Sequence, residues 1–375
     1  MNNDMNIELD NDWESFSSMN IDSFLSNETF INDTNDIIEN IENTNKMIDI
    51  PEPGDLYIST KTMIGYINIT KMIPLFNVFW KIPILMYHEQ KEGILKKQMK
   101  FTCLNQNEIN KIDILLEDEK IKKKTILSSN ISDTNSFKVI NKVDIGLCKK
   151  DITSYRSKNK NVFYNCIAMV IRLLCNKNNK YKEIHIKLFN TGKMEIPGIQ
   201  DDNILKQSIN IMINTLKPLL IPYFPIEEIS YNMKHIKCVL INSNFSSGFY
   251  IKRNEMFNLL RNKYNILSIY DPCSYPGIQS KFYYNTNKHI QNGCCECTTK
   301  CNKKTNQCKE ISFMIFRTGS VLIVGNCDKD IIHIIYSFLC NIFKTHFNQI
   351  YNGMNTQIKK NKSPRVLKKS IIVCK

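Results

Sequence analysis

No stretch of this chain approaches eighteen consecutive apolar residues, which argues against a membrane-spanning helix. Its first residues are acidic and lack the basic-then-apolar pattern of a secretory leader, so export is not expected either. Missing too are the short motifs that carry catalysis: G-x-S-x-G, the P-loop, H-E-x-x-H, and G-x-G-x-x-G before a helix. The six histidines are scattered, without a convincing carboxylate or cysteine partner. An enzyme is therefore not expected. Arginine is scarce, supplying 6 of the 50 basic residues, while lysine, asparagine and isoleucine are inflated as an AT-rich genome would make them.

What is present is a core-forming chain of 375 residues, 42% hydrophobic and 23% charged, long enough for two domains or one large one with insertions. Fourteen cysteines without a leader read as reduced thiols or metal ligands rather than a disulfide framework. The net charge of +14 is unevenly spread: residues 1–50 hold twelve acids against Lys46, a local −11, which leaves +25 on the remainder. A body that basic suits a polyanion such as nucleic acid, although codon usage accounts for part of the excess.

Residues 1–50 intersperse acids with Trp13, Phe16, Phe24 and Phe30, the composition of a disordered tail that orders on a partner. Its charge would also let it occupy a basic surface in cis and inhibit it. Pro51, Pro53 and Gly54 mark the boundary of the folded part, and residues 351–375 form a lysine-rich tail. Between them lies an internal repeat. Glu183–Gly198 aligns without a gap on Glu310–Gly325 at an offset of 127, with identities at Glu183/Glu310, Phe189/Phe316, Thr191/Thr318, Gly192/Gly319 and Gly198/Gly325. A weaker echo pairs Ile58–Tyr66 with Ile241–Phe249 at an offset of 183, implying a net insertion of 56 residues in the first copy, placed at about 102–160.

Each copy reads as strand, tight turn, strand, helix. Ile184, Ile186 and Leu188 alternate with His185, Lys187 and Phe189, and the glycines at 192 and 319 supply the turns. Asp201 and Asp328 stand at helix N-caps, and Lys217–Pro218 end the first helix. Helical periodicity marks Ile204, Leu205, Ile211, Met212 and Leu216 in one copy, and Ile331, Ile335, Phe338, Leu339 and Ile342 in the other.

Leu188–Met194 and Ile315–Val321 resemble the paired Ile-Phe-x-Ser-Gly-Lys segments of TATA-binding proteins, and Asp271–Ile278 resembles the Phe-Pro-Gly loop of that family's second half. The likeness is greatest to the divergent forms of large DNA viruses. It implies an α+β fold: a saddle of ten antiparallel strands in two pseudo-symmetric halves, 51–221 and 222–350, with helices on the convex face. It also implies a non-enzymatic transcription-initiation factor that binds and bends promoter duplex DNA through the minor groove. Transcription factors or RNA polymerase subunits are the partners so implied, in the nucleus or a cytoplasmic viral factory, with packaging in the virion a further place. An alternative keeps the fold as a protein-interaction module without minor-groove binding.

By motif, the resemblance puts Phe189 and Phe316 at aromatic wedge positions, with Tyr275 as the second half's other wedge and Phe163 as a weaker candidate in the first. Phe163–Leu173 is preferred over Gly93–Phe101 as the strand hairpinned to 183–189. Met314, Leu322 and Val324 form an apolar DNA-facing strip, with Lys187, Arg317 and Lys281 as cationic neighbours. The family's base-contacting threonines are replaced by Pro197 and Val324, Glu195 falls on the same face, and no first-strand asparagine is evident. The Cys-rich loop at 291–309 offers Cys294, Cys297, Cys301 and Cys308 as thiolates that could close around a structural zinc; mobile reduced thiols are the alternative. No cofactor is otherwise required.

Overall fold

The computed structural model describes residues 49–132, 136–153, 163–175, 180–295, 297 and 308–354. Residues 1–48 of the acidic tail, residues 355–375 of the basic one and Cys301 lie outside them; the first four residues assigned to the basic tail, Tyr351–Met354, instead form a strand. The described residues from 50 onward belong to one compact unit, and the description below is of that unit.

Its strands are β1 (Tyr57–Tyr66), β2 (Gly93–Cys103), β3 (Lys122–Ser132), β4 (Ser136–Gly146), β5 (Cys166–Cys175), β6 (Lys180–Phe189), β7 (Lys193–Ile199), β8 (Lys237–Ser246), β9 (Phe249–Ile251), β10 (Leu267–Ile269), β11 (Ile278–Asn285), β12 (Cys308–Ile315), β13 (Ser320–Gly325) and β14 (Tyr351–Met354). The helices are α1 (Leu75–Lys81), α2 (Gln106–Glu117), α3 (Lys149–Thr153), α4 (Asp202–Leu220), α5 (Arg253–Asn258), α6 (Lys329–Thr345) and α7 (Phe347–Ile350). Twelve strands form one sheet in the order β10-β11-β12-β13-β8-β1-β7-β6-β5-β2-β4-β3, and β9 pairs with β14 in a separate ribbon.

The order mirrors about the central antiparallel pair β1/β8. Moving outward, β7, β6, β5 and β2 on one side correspond to β13, β12, β11 and β10 on the other. The 127-residue offset thus superposes equivalent hairpins, β6–β7 on β12–β13. Ten of the strands make the two mirrored halves. The other two, β3 and β4, come from the insertion and extend the first half's edge, so the sheet has twelve strands rather than the ten that the resemblance implies. The insertion's helix α2 is capped by the Asn105 side chain, which accepts from the Glu108 N–H at 2.9 Å. Ile112 and Leu116 then bury against Phe101, Val139 and Val143. The hairpin partner of β6 is β5, in register from Cys166↔Phe189 to Cys175↔Lys180; Gly93–Phe101 is the next strand out, bonded to the far side of β5.

Each half packs one long amphipathic helix on the sheet. Along α4 the buried stripe is Leu205, Ile209, Met212, Leu216 and Leu220, set against Ile167, Ile171, Ile184, Ile186 and Ile196. Along α6 it is Ile331, Ile335, Leu339, Ile342 and Phe343, set against Ile311, Phe313, Ile315, Val321 and Ile323. Removing one such side chain, as in Leu339→Ala, costs roughly 2–5 kcal/mol. Asp201 caps α4 by accepting from the Asn203 N–H at 2.8 Å, whereas Asp328 stands at the N-cap of α6 without a side-chain cap bond. The helix does not stop at Lys217–Pro218 but carries Pro218 inside its last turn, because Leu220 is buried and holds that turn down.

Glycine at the hairpin turns is required by shape. Gly319 has φ +82°, and a Cβ there would sit 2.2 Å from the Phe249 carbonyl oxygen; Gly192, its mate, has φ +79°.

Candidate nucleic-acid interface

Directly paired residues in neighbouring strands share a face of the sheet. Ile241 pairs with Lys61 and Lys61 with Ile199, so the two cores, and the helices that complete them, lie on one face. The other face is read from the alternating residues. In the second half one row across the strands is Gln279, Met314, Leu322, Asn244 and Tyr57, and the next is Lys281, Ser312, Val324, Asn242 and Thr60. Met314, Leu322 and Val324 are only 4–6% exposed although neither core cluster contains them. They make a dense, shallow apolar strip. In the first half the matching row is Ile64, Glu195, Lys187, Ala168, Gln98, Asp144 and Lys123. That row is charged and largely self-neutralised: Lys187 Nζ lies 2.8 Å from Glu195, and Lys142 Nζ lies 3.5 Å from Asp144.

The four aromatic candidates gather into two equivalent pairs. Phe163 precedes β5 by three residues and Tyr275 precedes β11 by three; Phe189 closes β6, and Phe316 follows the last residue of β12. The Phe163 and Phe189 rings are 6.2 Å apart, and the Tyr275 and Phe316 rings 6.0 Å, both tilted. Lys187 Nζ stands 4.2 Å from the Phe163 centroid and Lys193 Nζ 5.1 Å from that of Phe189, so cations flank the first pair. In the second pair Phe316 is 6% exposed, beside a half-buried Tyr275 whose hydroxyl donates to the Met314 sulfur at 3.5 Å. Burial pushes the Tyr275 phenol up to about 12, keeping it neutral and a donor. Gly277 leaves room for both rings, since a Cβ there would come within 3.0 Å of each. Arg317 is exposed next to Phe316, while Lys281 is paired with Glu310 at 2.8 Å.

An asparagine does stand in the first strand of the second half. Asn242, in β8 at the centre of the sheet, is 5% exposed, and its side-chain oxygen is buried without a hydrogen-bond partner. Its backbone carbonyl accepts from the Ser59 hydroxyl of β1 at 2.9 Å, at a bulge between Ile58 and Thr60. The signal was there: the 183-residue echo aligns Ser59 with Asn242, and only one of the two copies keeps the amide.

Of the expected ligand set, the structure brings Cys297 and Cys308 together, with Cys295 beside them. Cys294 packs against the second core and directs its thiol to the Tyr264 carbonyl at 3.1 Å, so its neighbour Cys295 is the residue whose sulfur meets Cys297 and Cys308. Cys301, the remaining member of the expected set, falls among the residues not described.

A mirrored antiparallel sheet with one helix stacked on each half, and an aromatic pair repeated at equivalent ends of both, defines a TATA-binding-protein-like architecture. No family profile matches the chain. A curated protein described as TATA-box-binding protein-like, from Acanthamoeba polyphaga mimivirus, is 25% identical over 207 residues, covering 53% of this chain and 52% of that one. The chain therefore spans about half the length of the relative it matches. Among solved structures, the TBP of Methanococcus jannaschii aligns with 79% of this chain and 99% of its own, at 11% identity and a TM-score of 0.34. The chain is thus similar, over about half its length, to a divergent viral TATA-box-binding protein-like protein.

Proposed function

We propose that this protein is a DNA-binding transcription-initiation factor that engages duplex promoter DNA through the minor groove, bends it and recruits transcription machinery. The observation that carries the reading is the pair of aromatic couples at equivalent ends of the two halves, each on the face away from the helices. Rings at both ends of one sheet face suit wedges that unstack two base steps, and the apolar strip of Met314, Leu322 and Val324 suits a shallow groove floor. Asn242, at the centre, offers an amide to the groove's base acceptors. The mirrored charge row of the first half favours contacts other than the groove floor there, so the two halves have different tasks.

The same row motivates the second reading, a module kept for protein assembly. The experiment that separates the two uses the full chain and end-labelled AT-rich and GC-rich duplexes, reading affinity and end-to-end energy transfer across a salt series. Bending that is lost in Phe189→Ala plus Phe316→Ala supports the groove reading. Straight DNA, with weak binding erased by salt and indifferent to those substitutions, selects the assembly module.

A further inference from the structure

The β11–β12 connection is long, polar and poorly supplied with apolar residues; Ile290 within it is 85% exposed. Its first part is nevertheless returned to the sheet. The Gln291 side chain donates to the Asn285 and Lys288 carbonyls, both at 2.7 Å, and the Tyr283 N–H donates to the Gly293 carbonyl at 2.9 Å. That return delivers Cys295 and Cys297 to Cys308, the first residue of β12. The three sulfurs all lie within 4.8 Å of one another, and Cys297 Sγ is 3.6 Å from Cys308 Sγ.

Those separations have a chemical meaning. A tetrahedral zinc with Zn–S bonds of about 2.3 Å spaces its sulfurs by about 3.8 Å, so the three atoms need move less than ~1 Å to share one ion. A disulfide needs about 2.05 Å and would use only two of the three. Cys294 lies outside the cluster, its thiol turned to the Tyr264 carbonyl. Cys308 is buried, and by strand alternation it shares a face with Glu310, Ser312 and Met314, so the cluster sits at the far end of the hairpin from Tyr275 and Phe316.

We infer that Cys295, Cys297 and Cys308 form a zinc site that staples the polar β11–β12 connection to the end of β12. Each thiol releases a proton as its sulfur binds, and the ion supplies the cohesion that the loop's side chains lack. The inference stands independently of whether the sheet binds DNA.

The test uses the full chain, reduced and purified, with metal content read by mass spectrometry and Co(II) as a spectroscopic stand-in. One zinc per chain is expected, with a thiolate-to-cobalt charge-transfer band on substitution. Cys297→Ser, in the loop and least able to disturb the core, should weaken Co(II) binding roughly a hundredfold or more while leaving the circular dichroism unchanged. Cys295→Ser and Cys308→Ser should do the same, and Cys294→Ser should retain the full stoichiometry. Absence of bound metal with all thiols titratable overturns the site, as does full binding by Cys297→Ser or its loss in Cys294→Ser. A Cys297–Cys308 disulfide in the reduced preparation, found by peptide mapping, would also overturn it.

Discussion

Asn242→Ala should raise stability and lower DNA affinity together. The Asn242 side-chain oxygen is buried and has no donor, which costs roughly 1–3 kcal/mol in the unbound protein. Alanine removes that cost and leaves behind about one amide of empty volume, about 40 Å³, worth ~1 kcal/mol at about 24 cal/mol per Å³. The difference runs from no net change to a gain of about 2 kcal/mol, read by urea unfolding or as a rise of up to several degrees in Tm. In the complex the side-chain N–H2 of Asn242 donates to a base acceptor in the groove, worth about 1–3 kcal/mol, so its loss should weaken binding by about 5- to 150-fold. A residue kept for the fold behaves in the opposite way. If Asn242→Ala unfolds several degrees earlier and binds AT-rich duplex as well as the parent, the central amide is structural and the reasoning fails.

Other expectations follow from the same surfaces. Glu195→Gln turns the Lys187–Glu195 pair into a net cation and should steepen the log-affinity against log-salt slope by about 0.9, unless the first half never meets phosphate. Gly277→Ala puts a Cβ 3.0 Å from both Tyr275 and Phe316; bending by energy transfer should fall while the unfolding midpoint in urea moves little. The raised Tyr275 phenol, at about 12, favours the folded state below the ordinary tyrosine range near 10, and that contribution is lost as pH rises through about 12. Tyr275→Phe should therefore flatten the fall of stability measured between pH 10 and 12; an unchanged slope would refute burial as the cause. Leu339→Ala should cost roughly 2–5 kcal/mol in urea unfolding, as the α6 core predicts.

Much of this was legible because the sequence says the same thing twice. Thr191-Gly192 and Thr318-Gly319 mark turns by a local rule, positive φ without a Cβ, and period-two alternation on either side orients every residue of the two hairpins without reference to anything distant. The N-cap of Asp201 and the stripes of α4 and α6 are likewise local. Phe163, Phe189, Tyr275 and Phe316 were named by the resemblance of their segments to TATA-binding proteins, and the structure sets each at the end of a strand.

What lay beyond the sequence depended on partners far apart in the chain. That β2 sits outside β5, and that the insertion continues the sheet as β4 and β3, is settled by hydrogen-bonded edges, which any strand of suitable pattern can satisfy. The orphan amide of Asn242 exists only because β1, β13 and their side chains close over it. That the Cys295 sulfur, rather than that of Cys294, meets Cys297 and Cys308 depended on which of two adjacent thiols faced the Tyr264 carbonyl. Sequence alone determined the repeated hairpins and their faces, because those follow from dihedral preference and periodicity. Tertiary structure decided neighbours, burial and unmet hydrogen bonds, because these are properties of pairs that the chain brings together only on folding.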